Sequence, residues 1–320
     1  MKQKHNRITN DEGNNVKPLL QQTPCCVSVP SVDLFGDEIN NKLSLADKYL
    51  MCPFSVLDTR QGVWQKRKKF WNNLGIKSEL GRSTGTGFTQ YDYDYAGQCG
   101  TTFTGLGTDT RSSIFDPVVA EIIYKWFAKC NVLDPFAGGS VRGIVANYLG
   151  FKYTGIELRK EQVDSNREQA LGILALNNQP QWYIGDSEQI VNDLMPNYDL
   201  LFSCPPYMNL EVYSDLPDDL STMQDNEFVT KYESIITKSC NKLIKGGYAV
   251  FVVGDLRDKK GYQKDFTGIT KQAFAKAGMK LYNELILVNS VGTKAMTLER
   301  GFKNGKLAKV HQNIYVFVKP

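Results

Sequence analysis

Two histidines, His5 and His311, are all the chain has, and they stand near its opposite ends. Histidine is the side chain that most readily trades protons near neutral pH and ligates metals. Its scarcity argues against a Ser-His triad or a histidine-built metal centre, and no metal is expected. The seven cysteines are odd in number, irregularly spaced, and free of any Cys-x-x-Cys or Cys/His pattern. Neither a zinc site nor a disulfide framework is therefore expected. With no secretory leader in view, a reducing, cytoplasmic setting is the expectation. No apolar run approaches the roughly 20 residues of a membrane-spanning helix, so no membrane partner is expected. Charge of one sign is also in short supply, with 38 Lys and Arg against 34 Asp and Glu. That balance permits a polyanionic partner through local clusters without requiring one. What is present, 42% hydrophobic residues over 320 positions, is enough for one large core or two smaller ones.

Residues 1 to about 45 are polar and poor in aromatics, and read as a peripheral arm in which Cys25 and Cys26 are incidental. Residues 53–82 differ. Trp64 and then Phe70 and Trp71 bracket the run Lys66-Arg67-Lys68-Lys69. As a helix, this segment turns its aromatic face to a core and its four cations to solvent, a face that suits phosphates as well as plain water. Residues 81–111 are rich in Gly, Thr, Tyr and Asp and have no sustained period. A loop this long is either functional or disordered, and one reading is a segment that covers a substrate groove.

From Ser112 a regular alternation begins. A helix is predicted to about Ala128, with Pro117 in its first turn and Val118, Ile122, Ile123, Trp126 and Phe127 at helical spacing. Strands follow at Asn131–Asp134, Tyr153–Glu157, Gln181–Asp186, Tyr198–Phe202 and Leu243–Asp255, separated by helical patterns. This alternation predicts an α/β fold with a mostly parallel sheet and helices on both faces. The apolar runs Leu285–Val288 and Ile314–Val318 have no long helix between them, and predict an antiparallel pair at the sheet edge.

In such sheets ligands bind at the carboxyl ends of the strands, and the distinctive residues fall there. The first strand ends at Asp134 and runs into a turn with Gly138 and Gly139, where backbone can approach a ligand closely. Glu157, about twenty residues on, is placed to accept from ribose hydroxyls as in dinucleotide-binding folds. NAD remains open at this point, although the turn is not Gly-x-Gly-x-x-Gly and no hydride-transfer residue stands out. The fourth strand ends in Ser203-Cys204-Pro205-Pro206-Tyr207. Two consecutive prolines cannot continue a ladder, and each restricts the residue before it to extended geometry. The result is a stiff corner that offers bare carbonyls and an aromatic ring, suited to a flat hydrogen-bonding base.

From about Ser112 to Lys319 the chain resembles the S-adenosylmethionine-dependent amino-methyltransferases of DNA. Asp134-Pro135-Phe136-Ala137-Gly138-Gly139-Ser140 is similar to their cofactor motif, with Ser140 in place of its last glycine. Ser203-Cys204-Pro205-Pro206-Tyr207 is similar to their (Asp/Asn/Ser)-Pro-Pro-Tyr motif. Ser113-Ile114-Phe115-Asp116-Pro117 resembles the segment that closes over the methionine part of the cofactor. The resemblance implies a Rossmann-like class I methyltransferase fold, a seven-stranded mostly parallel sheet with an antiparallel edge. It divides the chain into an N-terminal extension, 1–111, as a DNA-contacting segment, and a catalytic domain, 112–320. It implies S-adenosyl-L-methionine as cofactor, held by Ser113, Phe115, Asp134, Phe136, Gly138, Ser140, Glu157 and Asp186, with Glu157 on the ribose and Asp186 on the adenine amine. The catalytic set implied is Cys204, Pro205, Pro206 and Tyr207. The Pro205 carbonyl would orient the target amine and Tyr207 would stack on a base flipped from double-stranded DNA, adenine N6 favoured over cytosine N4. Basic, tryptophan-rich leaders before such a domain are also similar to bacteriophage and mobile-element methylases.

The departure is Cys204, where a carboxylate, amide or hydroxyl is usual and a thiol is a weak acceptor. It leaves cytosine C5 methylation by a cysteine thiolate open, alongside RNA base methylation and a non-catalytic nucleic-acid-binding role. Past the corner, Glu211, Tyr213, Ser214 and Asp215 within 208–225 are further candidates for the target pocket. If an amine is the target, Cys204→Ser should keep substantial activity, whereas Tyr207→Ala should lose the ~1–3 kcal/mol of base stacking. A thiolate mechanism predicts instead a dead serine variant and a covalent adduct with 5-fluorocytosine DNA on a denaturing gel. The expected outcome is a living serine variant and no adduct.

Overall fold

Among the described residues, eight strands, numbered along the chain, hydrogen-bond into a single sheet in the order β1-β7-β8-β6-β5-β2-β3-β4. The computed structural model describes residues 45–77, 115–208, 213–258, 260–290 and 298–320. The polar arm, the glycine-rich stretch 81–111, Ser113 and Glu211 lie outside the described residues. All the described residues fall in the compact unit Asn40–Pro320.

The chain begins its described part with α1 (Leu45–Tyr49), β1 (Val56–Asp58) and α2 (Gly62–Asn73). After α3 (Pro117–Phe127) it alternates through β2 (Asn131–Asp134), α4 (Val141–Tyr148), β3 (Lys152–Glu157), α5 (Lys160–Ile173), β4 (Gln181–Ile184), α6 (Ser187–Asp193) and β5 (Tyr198–Ser203). A short 3-10 helix (Leu220–Thr222) precedes α7 (Asp225–Asn241), β6 (Leu243–Val253) and α8 (Phe266–Lys276). The last elements are β7 (Lys280–Val288), α9 (Leu298–Phe302) and β8 (His311–Val318). The predicted strands are all present, and the alternating part is the parallel, doubly wound sheet of a Rossmann-like class I fold. Helices on one face pack Trp64, Trp71, Ile122 and Val145 against it, and those on the other pack Phe228, Tyr232, Phe266 and Phe274.

Two details differ from the expected seven strands with an antiparallel edge. First, the expected antiparallel pair β7–β8 forms, but β8 also runs antiparallel to β6 and lies between the two, so it is interior and only it is reversed. Second, an eighth strand closes the edge: β1 pairs in parallel with Ile286–Val288 of β7. Three residues carry too little periodicity to announce a strand. Leu57, 1% exposed in this strand, is what roots it in the core.

The helix predicted around the basic cluster forms, but it shares its charge with the interior. Trp64 and Trp71 are fully buried, and their indole N–H groups donate to Asp116 (3.1 Å) and Glu121 (2.8 Å) of the α3 region. Arg67 makes a two-point contact with Glu121, at 3.0 and 2.7 Å, and Lys68 pairs with Asp116 at 3.1 Å. Only Lys66 and Lys69 of the four cations stay exposed. Glu121 is 1% exposed, and a carboxylate at that depth persists because it is paired and hydrogen-bonded. Asp116 also caps α3 by accepting from the Val118 amide at 2.9 Å, next to Pro117 in the first turn. Trp71→Ala, which removes a full indole from the core and a donor from Glu121, should cost about 3–5 kcal/mol in urea unfolding. Lys69→Ala on the same helix should stay within about 0.5 kcal/mol. Equal effects would mean that α2 lies on the surface rather than in the core.

Candidate active site

Asp134 ends β2 with its side chain fully buried. A carboxylate there is costly unless donors surround it, and four do. Ser203 Oγ at the end of the neighbouring β5 donates to Oδ1 at 2.6 Å, as does the Phe136 amide at 3.2 Å. Tyr153 OH donates to Oδ2 at 2.8 Å and Arg142 Nε to the same oxygen at 2.6 Å. Burial, with the Asp134 charge, keeps the Tyr153 phenol far above its ordinary pKa and hence a donor. Burial works against the Arg142 charge, yet Asp134, Tyr153 and Cys204 hold the guanidinium above its already high range.

Arg142 also fixes the glycine turn. Its Nη2 donates to the carbonyls of Phe136 (2.7 Å) and Ala137 (2.9 Å), and its guanidinium lies 4.7 Å from the Phe115 ring centroid. Gly138 takes φ +53, a left-handed conformation that a glycine adopts without strain. Its amide donates to Glu157 Oε2 at 3.0 Å, while Asn166 donates to its carbonyl at 2.8 Å. The other oxygen of Glu157 accepts from the Arg159 amide at 3.0 Å. Burial pushes the Glu157 carboxyl upward, against the pull of Arg159 and of the two amides.

Asp186 caps α6 by accepting from the Glu188 amide at 3.0 Å. Its other oxygen pairs with Lys231 of α7 at 3.1 Å. Across the cleft, the corner after β5 holds Tyr207 by three contacts. Gln312 Nε2 donates to its hydroxyl at 2.7 Å, Cys204 Sγ lies 3.8 Å from that hydroxyl, and its ring meets Phe266 edge-on at 5.9 Å. Burial above all, with Cys204 beside it, keeps the Tyr207 phenol protonated well beyond neutral pH.

These walls enclose one cavity of about 170 Å³, room for much more than a few waters. Phe115, Phe136, Gly138, Glu157 and Asp186 line it together with Cys204, Pro205, Pro206 and Tyr207. The adjacent parallel strands β5, β2, β3 and β4 deliver most of these residues to one place because their carboxyl ends lie together. Asp134 and Ser140 do not line it. Asp134 sits beneath the turn, and Ser140 donates to Gln169 at 2.6 Å, inside the core. Tyr213 lines the cavity as expected, whereas Ser214 donates to Asp219 and Asp215 is exposed.

Among the lining residues that carried no expectation are the charged Arg142, Arg159, Asp218, Asp219 and Lys231. Arg142 had a readable sign. A cation in the first turn of a helix opposes the helix dipole, and so points to a fixed acidic partner. Lys231 had none, since a lysine flanking the apolar stripe of α7 looks like any solvated cation.

No known family profile matches the sequence, and no curated protein matches it. Solved structures do match in shape. TrmN from Thermus thermophilus is 15% identical with a TM-score of 0.44, over 64% of this chain and 49% of that one. This chain thus spans about half the length of that protein. Magnesium protoporphyrin IX methyltransferase (ChlM) from Synechocystis PCC 6803, solved with bound SAM, is 13% identical with a TM-score of 0.40, over 64% and 79%. A TehB-like SAM-dependent methyltransferase from Corynebacterium glutamicum is 14% identical with a TM-score of 0.40, over 72% and 95%.

Asp134→Ala should leave the Arg142 guanidinium buried without its carboxylate and cost about 3–5 kcal/mol. Urea unfolding measures this directly. A loss below about 1 kcal/mol would show that the turn does not depend on that ion pair.

Proposed function

We propose that this chain is an S-adenosylmethionine-dependent methyltransferase acting on the exocyclic amine of a flipped base in double-stranded DNA, with adenine N6 favoured. One observation carries the reading. The glycine turn, two strand-end acids and the Pro-Pro-Tyr corner, read separately from the sequence, all face a single cavity.

The donor and acceptor set fits the cofactor. Glu157 has carboxylate lone pairs left for ribose hydroxyls after accepting from two amides. Asp186 faces the cavity as an acceptor suited to an adenine amine, and Gly138 presents no side chain to obstruct a ligand. Phe115 and Phe136 supply apolar surface. When bound, S-adenosylmethionine supplies a methyl group activated on a sulfonium. The chain's own work is then positioning and electrostatics rather than strong-base catalysis. The Pro205 carbonyl accepts from the target amine and turns its lone pair into the cleft. Tyr207, fixed by Gln312 and Phe266, gives the base an aromatic surface that cannot swing away. Cys204 contributes a weak acceptor beside the Tyr207 hydroxyl. Lys66 and Lys69, exposed on α2, are the cations of the basic cluster left free to meet phosphates in this reading.

A second reading has one observation in its favour. Arg142 lines the same cavity as Cys204, and a cation there favours a thiolate, as cytosine C5 attack requires. Mass spectrometry of nucleosides from DNA of expressing cells separates the two, with N6-methyladenine expected. Calorimetry should show S-adenosylmethionine bound more tightly than NAD, and Glu157→Ala should weaken it by ~1.5–3 kcal/mol. Ribose hydroxyls need the Glu157 carboxylate ionised. Its pKa is raised by burial, so affinity should fall on acidification at a pH above the ordinary carboxylate range. Glu157→Gln should remove that dependence. Unmethylated DNA together with preferred NAD binding would sink the assignment.

A further inference from the structure

Asp186 and Asp218 reach the cavity from different walls, Asp186 from the end of β4 and Asp218 from the loop that follows the corner. Lys231 of α7 stands between them. Its Nζ lies 3.1 Å from Asp186 Oδ2 and 2.9 Å from Asp218 Oδ1, and its side chain is only 12% exposed. Burial pulls the ammonium toward neutrality, but the two carboxylates hold its pKa above the usual range, so the bridge stays charged. The Asp186 arm of this bridge is shielded, with that carboxylate 15% exposed, so water competes little for it, whereas Asp218 is 55% exposed and its arm is the weaker one.

The loop that Asp218 belongs to is itself a built unit. Asp219 accepts from the Ser221 amide (2.8 Å) and hydroxyl (2.6 Å), and Ser214 Oγ donates to its other oxygen at 2.7 Å. The Tyr213 amide closes the set by donating to Ser221 Oγ at 3.1 Å. Asp218 links this unit to α7 through Lys231, and Lys231 in turn holds one oxygen of Asp186. Because Glu188 takes the other oxygen, the carboxylate is held from both sides.

We infer that Lys231 is a positioning residue that ties the post-corner loop, residues 213–222, to the adenine end of the cofactor subsite. One ammonium then sets both the acid that meets the cofactor and the loop that borders the target base. Loss of the bridge disturbs the two together. This inference rests on the methyltransferase reading of the cavity.

The test combines amide hydrogen exchange of residues 213–222 in the ligand-free full chain with calorimetry of S-adenosylhomocysteine binding. Lys231→Met should speed loop exchange and weaken binding by about tenfold each, the scale of one charge-assisted contact. Lys231→Arg should restore both, which a packing role alone would not explain. Asp218→Asn should loosen the loop like Lys231→Met but weaken the ligand less, because it leaves the Lys231–Asp186 pair in place. Should Lys231→Met fail to fold, Lys231→Gln takes its place. Unchanged loop exchange in the folded Lys231 variant overturns the inference. So does a loosened loop with undiminished affinity. Wild-type protein that binds no S-adenosylhomocysteine would instead overturn the functional reading, and loop exchange in the ligand-free variants would still judge the bridge.

Discussion

The buried carboxylate of Asp134 is the contact on which the rest of the cleft depends. Ionised acids survive in an interior only where fixed donors replace water. Here those donors come from α4 (Arg142), β3 (Tyr153), β5 (Ser203) and the turn itself (Phe136). One side chain thereby joins the glycine turn to the first residue of the proline corner. The two halves of the site, the glycine turn and the proline corner, share that anchor, so their separation is set by covalent geometry and short hydrogen bonds.

A similar economy joins α2 to the core. Asp116 and Glu121 take both indole N–H groups and two of the four clustered cations. A basic run that looks like a ligand-binding face is thus half consumed in holding its own helix down. Charge clusters read from sequence report the number of cations, whereas their availability depends on acids far along the chain.

The strand ends were legible for physical reasons. Consecutive prolines and paired glycines leave the backbone few alternatives, and apolar runs alternating with helices leave few topologies. Gly138, Glu157, Asp186 and the Pro205-Pro206-Tyr207 corner needed no more than this to be placed at the strand ends, whereas Phe115 and Phe136 came from the family resemblance; all of them line the cavity with Cys204. Asp134 and Ser140 were legible as part of the motif but not as lying under it, because sequence spacing does not say which way a side chain turns. The short strand β1 depends on β7 and Lys231 on Asp186, partners far along the chain that leave no period in the sequence, whereas Arg142 pairs with Asp134 just 8 residues away.

The reversed strand β8 has a consequence for assembly. A parallel strand brings its end to the active face, whereas an antiparallel one brings its beginning, so Gln312 arrives beside Tyr207 as the second residue of β8. β8 must slot between β6 and β7, which are already flanked by β5 and β1. Such insertion is a long-range event, and long-range pairing comes late in folding because chain entropy must be lost first. The glycine-turn side of the cleft, built around β2, β3 and β4, comes from contiguous chain. The corner gains the Gln312 contact that fixes Tyr207 only when this last strand enters.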